Sequence, residues 1–219
     1  MEWMKSDPEH IFALRQLDKF MINHRGFIAG GCFKNLFNGE RIKDVDVFFR
    51  DRADFRDGVD RMNSLNGRDD FEPFYTSPNV TAFRHKKSGV TVELVQSIFG
   101  TPEEIISQFD FTVTKFAYYK ELVKKDGEID PFELEDETDE SVWEYKAVYH
   151  PLFFEHLHLK RLIIDDKIPK PMSTFNRVIR YRKYGYTPCV ETKQKLINAL
   201  RNLPESEILV PTNFYEGVD

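Results

Sequence analysis

The chain has 219 residues, 41% of them hydrophobic, enough for one medium domain with a real core or one domain plus an appendage. A formal charge of -6 excludes a surface that is basic all over, and two cysteines, Cys32 and Cys189, exclude a disulfide framework, so a reduced, cytoplasmic protein is expected. The opening residues MEWMKSDPEH lack the basic start and apolar run of a signal peptide, and no apolar run approaches the roughly 20 residues that cross a bilayer.

The charge is unevenly spread. Residues 121–144 carry eleven acids against two lysines, and residues 160–202 carry eleven lysines and arginines against three acids. A basic C-terminal third is a candidate contact for RNA.

In chain order, SDPEHIFALRQLDKFMINHRG reads as a helix. Ser6 or Asp7 caps it, Pro8 suits its first turn, and Gly26 ends it. FIAGG is a short strand ending in glycines, CFKNLFNG a short helix closed by Gly39, and DVDVFFR a strand. Residues 51–70 are mostly polar and read as helix and loop. VTAFRHKKSGVTVELVQ is a hairpin around KKSG. TPEEIISQF opens as a helix on Thr101 and Pro102, and FTVTKFAYY is a strand. KKDGEIDPFELEDETDE reads as an acidic loop or insert. FFEHLHLKRLII fits strand or helix. STFNRVIRYRKYGY is a helix capped by Ser173 and ended by Gly185, and TPCVETKQKLINALRNLP is a second basic helix from near Pro188. No internal repeat is present. The order implies an α+β fold, a mixed sheet flanked by helices. Its expected parts are a first domain over 1–125, an acidic loop or insert over 126–145, and a mostly helical basic segment over 146–219 packed on the first domain.

The chemistry concentrates in FIAGGCFKNLFNGERIKDVDVFF, residues 27–49. Residues i and i+2 of a strand face the same way, so Asp44 and Asp46 project from one face while Val45, Val47 and Phe49 take the other. Two such carboxylates repel unless a cation sits between them, and oxygen ligands suit magnesium, with manganese the alternative. A metal pair about 4 Å apart would polarise a phosphoryl group. Gly30 and Gly31 allow phosphate oxygens close to the backbone, beside the start of a helix. The plain structural readings are a solvent-facing strand edge for the aspartates and a tight turn for the glycines.

GGCFKNLFNGERIKDVD resembles the polymerase beta-like nucleotidyltransferase superfamily, closest to the head domain of the tRNA nucleotidyltransferase and poly(A) polymerase group and to compact stand-alone relatives of phages and large DNA viruses. QFDFTVTKFAYY, with Asp110, is similar to the Arg-Asp-Phe-Thr segment of that head, and TFNRVIRYRKYGYTP loosely to its Arg-rich neck helix. The resemblance implies a nucleotidyltransferase-like fold and magnesium-dependent transfer of NMP from an NTP to an acceptor hydroxyl, an RNA 3′ end being one candidate. It implies a third carboxylate, Glu93 first and Asp110 second, Asp110 otherwise contacting sugar or holding a loop. The metal set is then Asp44, Asp46 and Glu93. The nucleotide set is Gly30, Gly31, Cys32, Lys34, Lys43, Asp110, Arg177 and Arg180, with Arg41 and Arg182 nearby in the sequence. Three departures stand out: Lys34-Asn35 replaces Arg-Asp, Cys32 replaces a common serine, and FDFT lacks its leading arginine. They keep two alternatives open. One is an inactive nucleotidyltransferase fold kept as a binding module; the other is a toxin-like enzyme that nucleotidylates protein or tRNA. Weaker patterns are the pair His156 and His158, which share a face if EHLHLK is a strand, and EF-hand-like acids from Asp126, spoiled by Pro131 where glycine is needed. Acceptor, base preference and oligomeric state are not legible.

Overall fold

Helix and strand formers alternate along the chain, and most of the strands join one large sheet. The structure is a computed structural model describing residues 2–6, 11–21, 24–66, 70–124, 141–164 and 168–204. Its strands are β1 (Met4–Ser6), β2 (Phe27–Ala29), β3 (Asp44–Phe48), β4 (Phe71–Thr76), β5 (Val80–His85), β6 (Thr91–Val95), β7 (Phe116–Lys124) and β8 (Ser141–Tyr149). A short pair, β9 (Arg161–Leu162) and β10 (Thr187–Pro188), lies apart from them in sheet order. The helices are α1 (Cys32–Phe37), α2 (Arg52–Asn66), α3 (Pro102–Ser107), α4 (Phe153–His158), α5 (Pro171–Lys183) and α6 (Val190–Arg201). The eight-stranded sheet runs β1-β8-β7-β2-β3-β6-β5-β4. Only β3 and β6 pair in parallel within it; the other ladders are antiparallel. The fold is therefore the expected α+β class with a mixed sheet. No helix among the described residues is long and apolar enough to cross a membrane.

The chain divides into two compact units. Met1–Phe109 with Thr114–Phe153 holds the large sheet; Asp110–Val113 with Phe154–Asp219 holds the short pair, α5 and α6. The last strand of the sheet starts at Ser141, inside the stretch expected to be loop, and its register with β7 extends from Ser141–Lys124 to Tyr149–Phe116. The acidic residues 126–140, including the EF-hand-like pattern, lie outside the described residues.

Several local expectations change. Ser6 pairs with Ala147 in the β1–β8 ladder, and Asp7 and Pro8, with the start of the expected helix, lie outside the described residues. The helix that follows is a 3-10 helix, Phe12–Phe20, without a side-chain cap. Its buried Leu14, Leu17 and Phe20 recur every three residues, the repeat that aligns on one side of a three-residue turn. Ser173 lies within the first turn of α5, whose cap position is Lys170 and whose first residue is Pro171. FFEHLHLKRLII divides into α4 and β9, so His156 is buried and His158 exposed, and they share no face. The Thr101 capping box of α3 forms as expected.

One face of the sheet carries two environments. Phe27, Ala29, Phe48, Val95, Ala117, Tyr119 and Val148 pack with Ile105 and Ile106 of α3 in a fully apolar cluster. Asp46 and Asp44 precede Phe48 by two and four residues on the same strand, so they continue that face beyond the apolar cluster.

Candidate functional site

The parallel β3–β6 ladder sets the site. Its register places Asp44 beside Thr91 and Asp46 beside Glu93. Paired residues share a face, so three carboxylates sit within one patch. Val45, Val47, Val92 and Leu94 alternate with them and are fully buried, which anchors both strands from the opposite side. The crowding has an electrostatic signature. Burial, then the charges of Glu93 and Asp44 and a hydrogen bond with Glu93, push the Asp46 carboxyl up to about 8.

Two further ladders extend the row. Glu93 pairs with Ala82 of β5, and Ala82 with Tyr75 of β4. Because alanine is small, the tyrosine reaches over it and donates its hydroxyl proton to Glu93 Oε1. Burial and that bond push the phenol well up. The sequence reading missed Tyr75 because Pro73 obscured the strand FEPFYT, and proline is confined to edge strands or bulges. Here β4 is the sheet edge and the ladder shifts register between Pro73 and Tyr75. The signal was an aromatic run between NGRDD and SPN turn segments.

Gly30 lies on the other flank. Its φ of +101° is open to glycine, and a Cβ there would stand 3.7 Å from Asp46 Oδ2. The glycine turn and the second aspartate thus adjoin. Gly31 precedes α1 in helical conformation. Cys32 is buried; burial, then Asp46 and Asp44, push its thiol well above the ordinary range. Lys34 and Asn35 brace the turn into β3: Lys34 Nζ donates to Glu40 Oε2 at 2.9 Å, and Asn35 Nδ2 to the Arg41 carbonyl at 3.3 Å. Lys43 and Arg41 are exposed, and the Lys43 carbonyl accepts the Thr91 N–H.

Asp110, Arg177 and Arg180 belong to the second unit. Asp110 is buried, where it accepts hydrogen bonds from the Phe111 N–H, from Thr174 Oγ1 at 2.9 Å and from Arg177 Nη2 at 2.9 Å. It thereby ties the start of α5 to the 110–113 segment. Arg180 and Arg182 are exposed on that helix.

The donor chemistry at the aspartates suits a hard cation: oxygen only, anionic and crowded enough to keep one carboxyl protonated near neutrality. Among the described residues, however, no group of three or more His, Cys, Asp or Glu side chains is arranged to hold a metal ion. Glu93 is engaged by Tyr75 and Asp46, which leaves Asp44 and Asp46 as the donor pair.

A family sequence model described as "Gad2: Gabija anti-defense 2 family protein" matches residues 6–160, and the chain belongs to that family. No curated protein matches the sequence significantly. Among solved structures, a Thermotoga maritima CCA-adding enzyme complexed with tRNA is similar at TM-score 0.54 and 14% identity, over 92% of this chain and 46% of the enzyme. A CCA-adding enzyme in complex with ATP is similar at TM-score 0.55 and 14% identity, over 95% of this chain and 50% of the other. A tRNA nucleotidyltransferase complexed with a primer tRNA and an incoming ATP analogue is similar at 0.51 and 14%, over 90% and 53%. The fold is that of the polymerase beta-like nucleotidyltransferases, and the chain spans about half the length of these structures.

Proposed function

We propose that this member of the Gabija anti-defense 2 family is a magnesium-dependent nucleotidyltransferase that moves NMP from an NTP to an acceptor hydroxyl, an RNA 3′ end being the preferred candidate. The carrying observation is the juxtaposition of Asp44, Asp46 and Glu93 on paired strands with the Gly30 turn against Asp46. The likeness to tRNA-bound and ATP-bound enzymes supports the substrate classes, and the basic residues of α5 support RNA contact.

Asp44 and Asp46 would hold magnesium, with manganese as substitute, and a bound ion would supply neutralisation of phosphate charge and a lowered pKa for an attacking oxygen. Gly30 and Gly31 give the triphosphate access to the backbone. The acceptor oxygen bonds to the α-phosphorus as the bond to the pyrophosphate oxygen breaks, and the hydroxyl proton passes to a carboxylate of the cluster. Much of the rate then comes from positioning and charge compensation. Labelled NTPs with magnesium and total RNA test the reading: wild type labels RNA, while Asp44→Ala and Asp46→Ala fold but do not. Labelling by either variant at the wild-type rate overturns it.

A second reading, a binding module on the same fold, draws on Glu93 facing Tyr75 and on Lys34 being engaged by Glu40. It predicts no rise in melting temperature with magnesium and ATP or CTP. The family description also suits a protein or tRNA acceptor, since nucleotidylation of a defence component would be one way to disable it; label in lysate protein instead of RNA distinguishes that case.

A further inference from the structure

At the free edge of the sheet, beyond Glu93, two aromatic rings and a guanidinium stand together without belonging to the core. Phe74 is 47% exposed and Tyr75 41%, although they neighbour the buried Ala82 and Phe83. Successive strand residues ordinarily face opposite sides. The register shift between Pro73 and Tyr75 relaxes that alternation, and the two rings meet edge to face at 5.3 Å. Arg84 stacks 3.9 Å over Phe74. Register places Arg84 in one row with Thr91 and Asp44, as it places Tyr75 in one row with Glu93 and Asp46. The aromatic–cation group therefore lies on the carboxylate face, two strand spacings or about 10 Å from β6. Edge strands ordinarily carry charge, whereas this one exposes a phenylalanine ring beyond what its contacts with Tyr75 and Arg84 cover.

The direction of transfer says what the group faces. In phosphoryl-type displacement the attacking and leaving oxygens lie on opposite sides of phosphorus. The Gly30–Gly31 turn follows β2, on one flank of β3; β6, β5 and β4 lie on the other. Pyrophosphate leaving toward the glycines puts the acceptor on the flank that holds Phe74, Tyr75 and Arg84. Exposed aromatic faces and arginine planes are what unpaired bases stack on.

We infer that Phe74, Tyr75 and Arg84 form a stacking site for the 3′-terminal base of a single-stranded RNA acceptor. The inference rests on the transfer reading above. Phe74 makes the principal ring contact, Tyr75 holds it edge-on while fixing Glu93, and the Arg84 guanidinium braces the opposite face. Among the described residues the buried Arg84 Nε has no hydrogen-bond partner, and the guanidinium stacks on Phe74.

The test is binding of a labelled single-stranded octaribonucleotide to the full chain, read by fluorescence anisotropy, against the same strand with an abasic 3′-terminal ribose. Wild type should bind the intact strand about tenfold tighter. Phe74→Ala should bind both strands at the abasic level, Phe74→Trp should restore the difference, and neither should alter the thermal shift given by magnesium and ATP. Equal binding of both strands by wild type, no measurable binding of either, or a preserved difference in Phe74→Ala overturns the inference. Loss of the ATP shift in Phe74→Ala also overturns it, because the ring would then serve the incoming nucleotide. The two readings fail separately: active labelling without base discrimination removes this site alone, and discrimination without labelling in any condition removes the transferase reading.

Discussion

The hydroxyl of Tyr75 reaches across Ala82 to donate a hydrogen bond to Glu93, two strands away. That bond shares the third carboxylate of the cluster between Tyr75 and Asp46, and it couples the edge strand to the centre of the site. The rigid part of the site is β3 with its two aspartates; the adjustable part is a glutamate with two competing partners.

Removing the competition should be measurable. Tyr75→Phe keeps the ring and deletes the donor, at a partly exposed position where little folding energy is lost. Glu93 then keeps Asp46 as its partner and is released from the edge strand. The magnesium concentration giving half the maximal thermal shift is expected to fall several-fold, since a hydrogen bond to a charged group contributes about 1.5–3 kcal/mol. A rise would show that Tyr75 orients Glu93 toward the cation.

Much of the site was legible because strand alternation is local. DVDVFF fixes which residues of β3 share a face, and GG before CFKNLF marks a turn that only glycine makes. What was not legible depended on partners distant in sequence. β4 was hidden by Pro73 and recognised only through β5; β8 was hidden by its continuity with the acidic stretch and is fixed by β7, whose residues end more than a dozen positions earlier. Asp110 and Arg177, read as nucleotide contacts, are 2.9 Å apart, a pairing that no local pattern announces.

Asp46 strains the fold that carries it. Its carboxyl is held up to about 8, above the ordinary 3.8, by burial, Glu93 and Asp44. A carboxyl raised in the folded state weakens folding as pH climbs from its unfolded value toward its folded one. At pH 7 without divalent metal, Asp46→Asn should therefore raise the melting temperature, while with magnesium it should abolish transfer. The gain should shrink at pH 4, where wild-type Asp46 is protonated. Equal melting temperatures at pH 7 would show that the cluster carries no such strain.

Asp110 should matter to the helix that follows it. Its side chain is buried and accepts from Thr174 and Arg177. Asp110→Asn retains the shape but loses the charge, and is expected to cost about 2 kcal/mol in urea unfolding. Arg177→Ala leaves a buried carboxylate short of its cation, so the double variant should be less destabilised than the two single losses added. Additive losses would show that the contact at 2.9 Å contributes nothing.

His24 gives the first unit an acid limit. It is buried, with Nε2 3.0 Å from the Phe20 carbonyl and Nδ1 accepting the Gly26 N–H. Burial, followed by the charge of Lys120, lowers its pKa from 6.5 to about 4. The unfolded chain therefore binds a proton that the folded chain refuses between these values. Stability from this group is full above pH 6.5 and is lost as pH falls toward 4, to a limit of about 3 kcal/mol. Gly26 cannot yield room, because a Cβ there would meet Val47 at 2.5 Å and Phe49 at 2.8 Å. Urea midpoints measured from pH 7 to 4 should fall more steeply in wild type than in His24→Gln. That variant starts less stable, because one side-chain amide cannot replace both ring contacts, but it lacks the titration. Parallel curves would assign the acid sensitivity to the carboxylates instead.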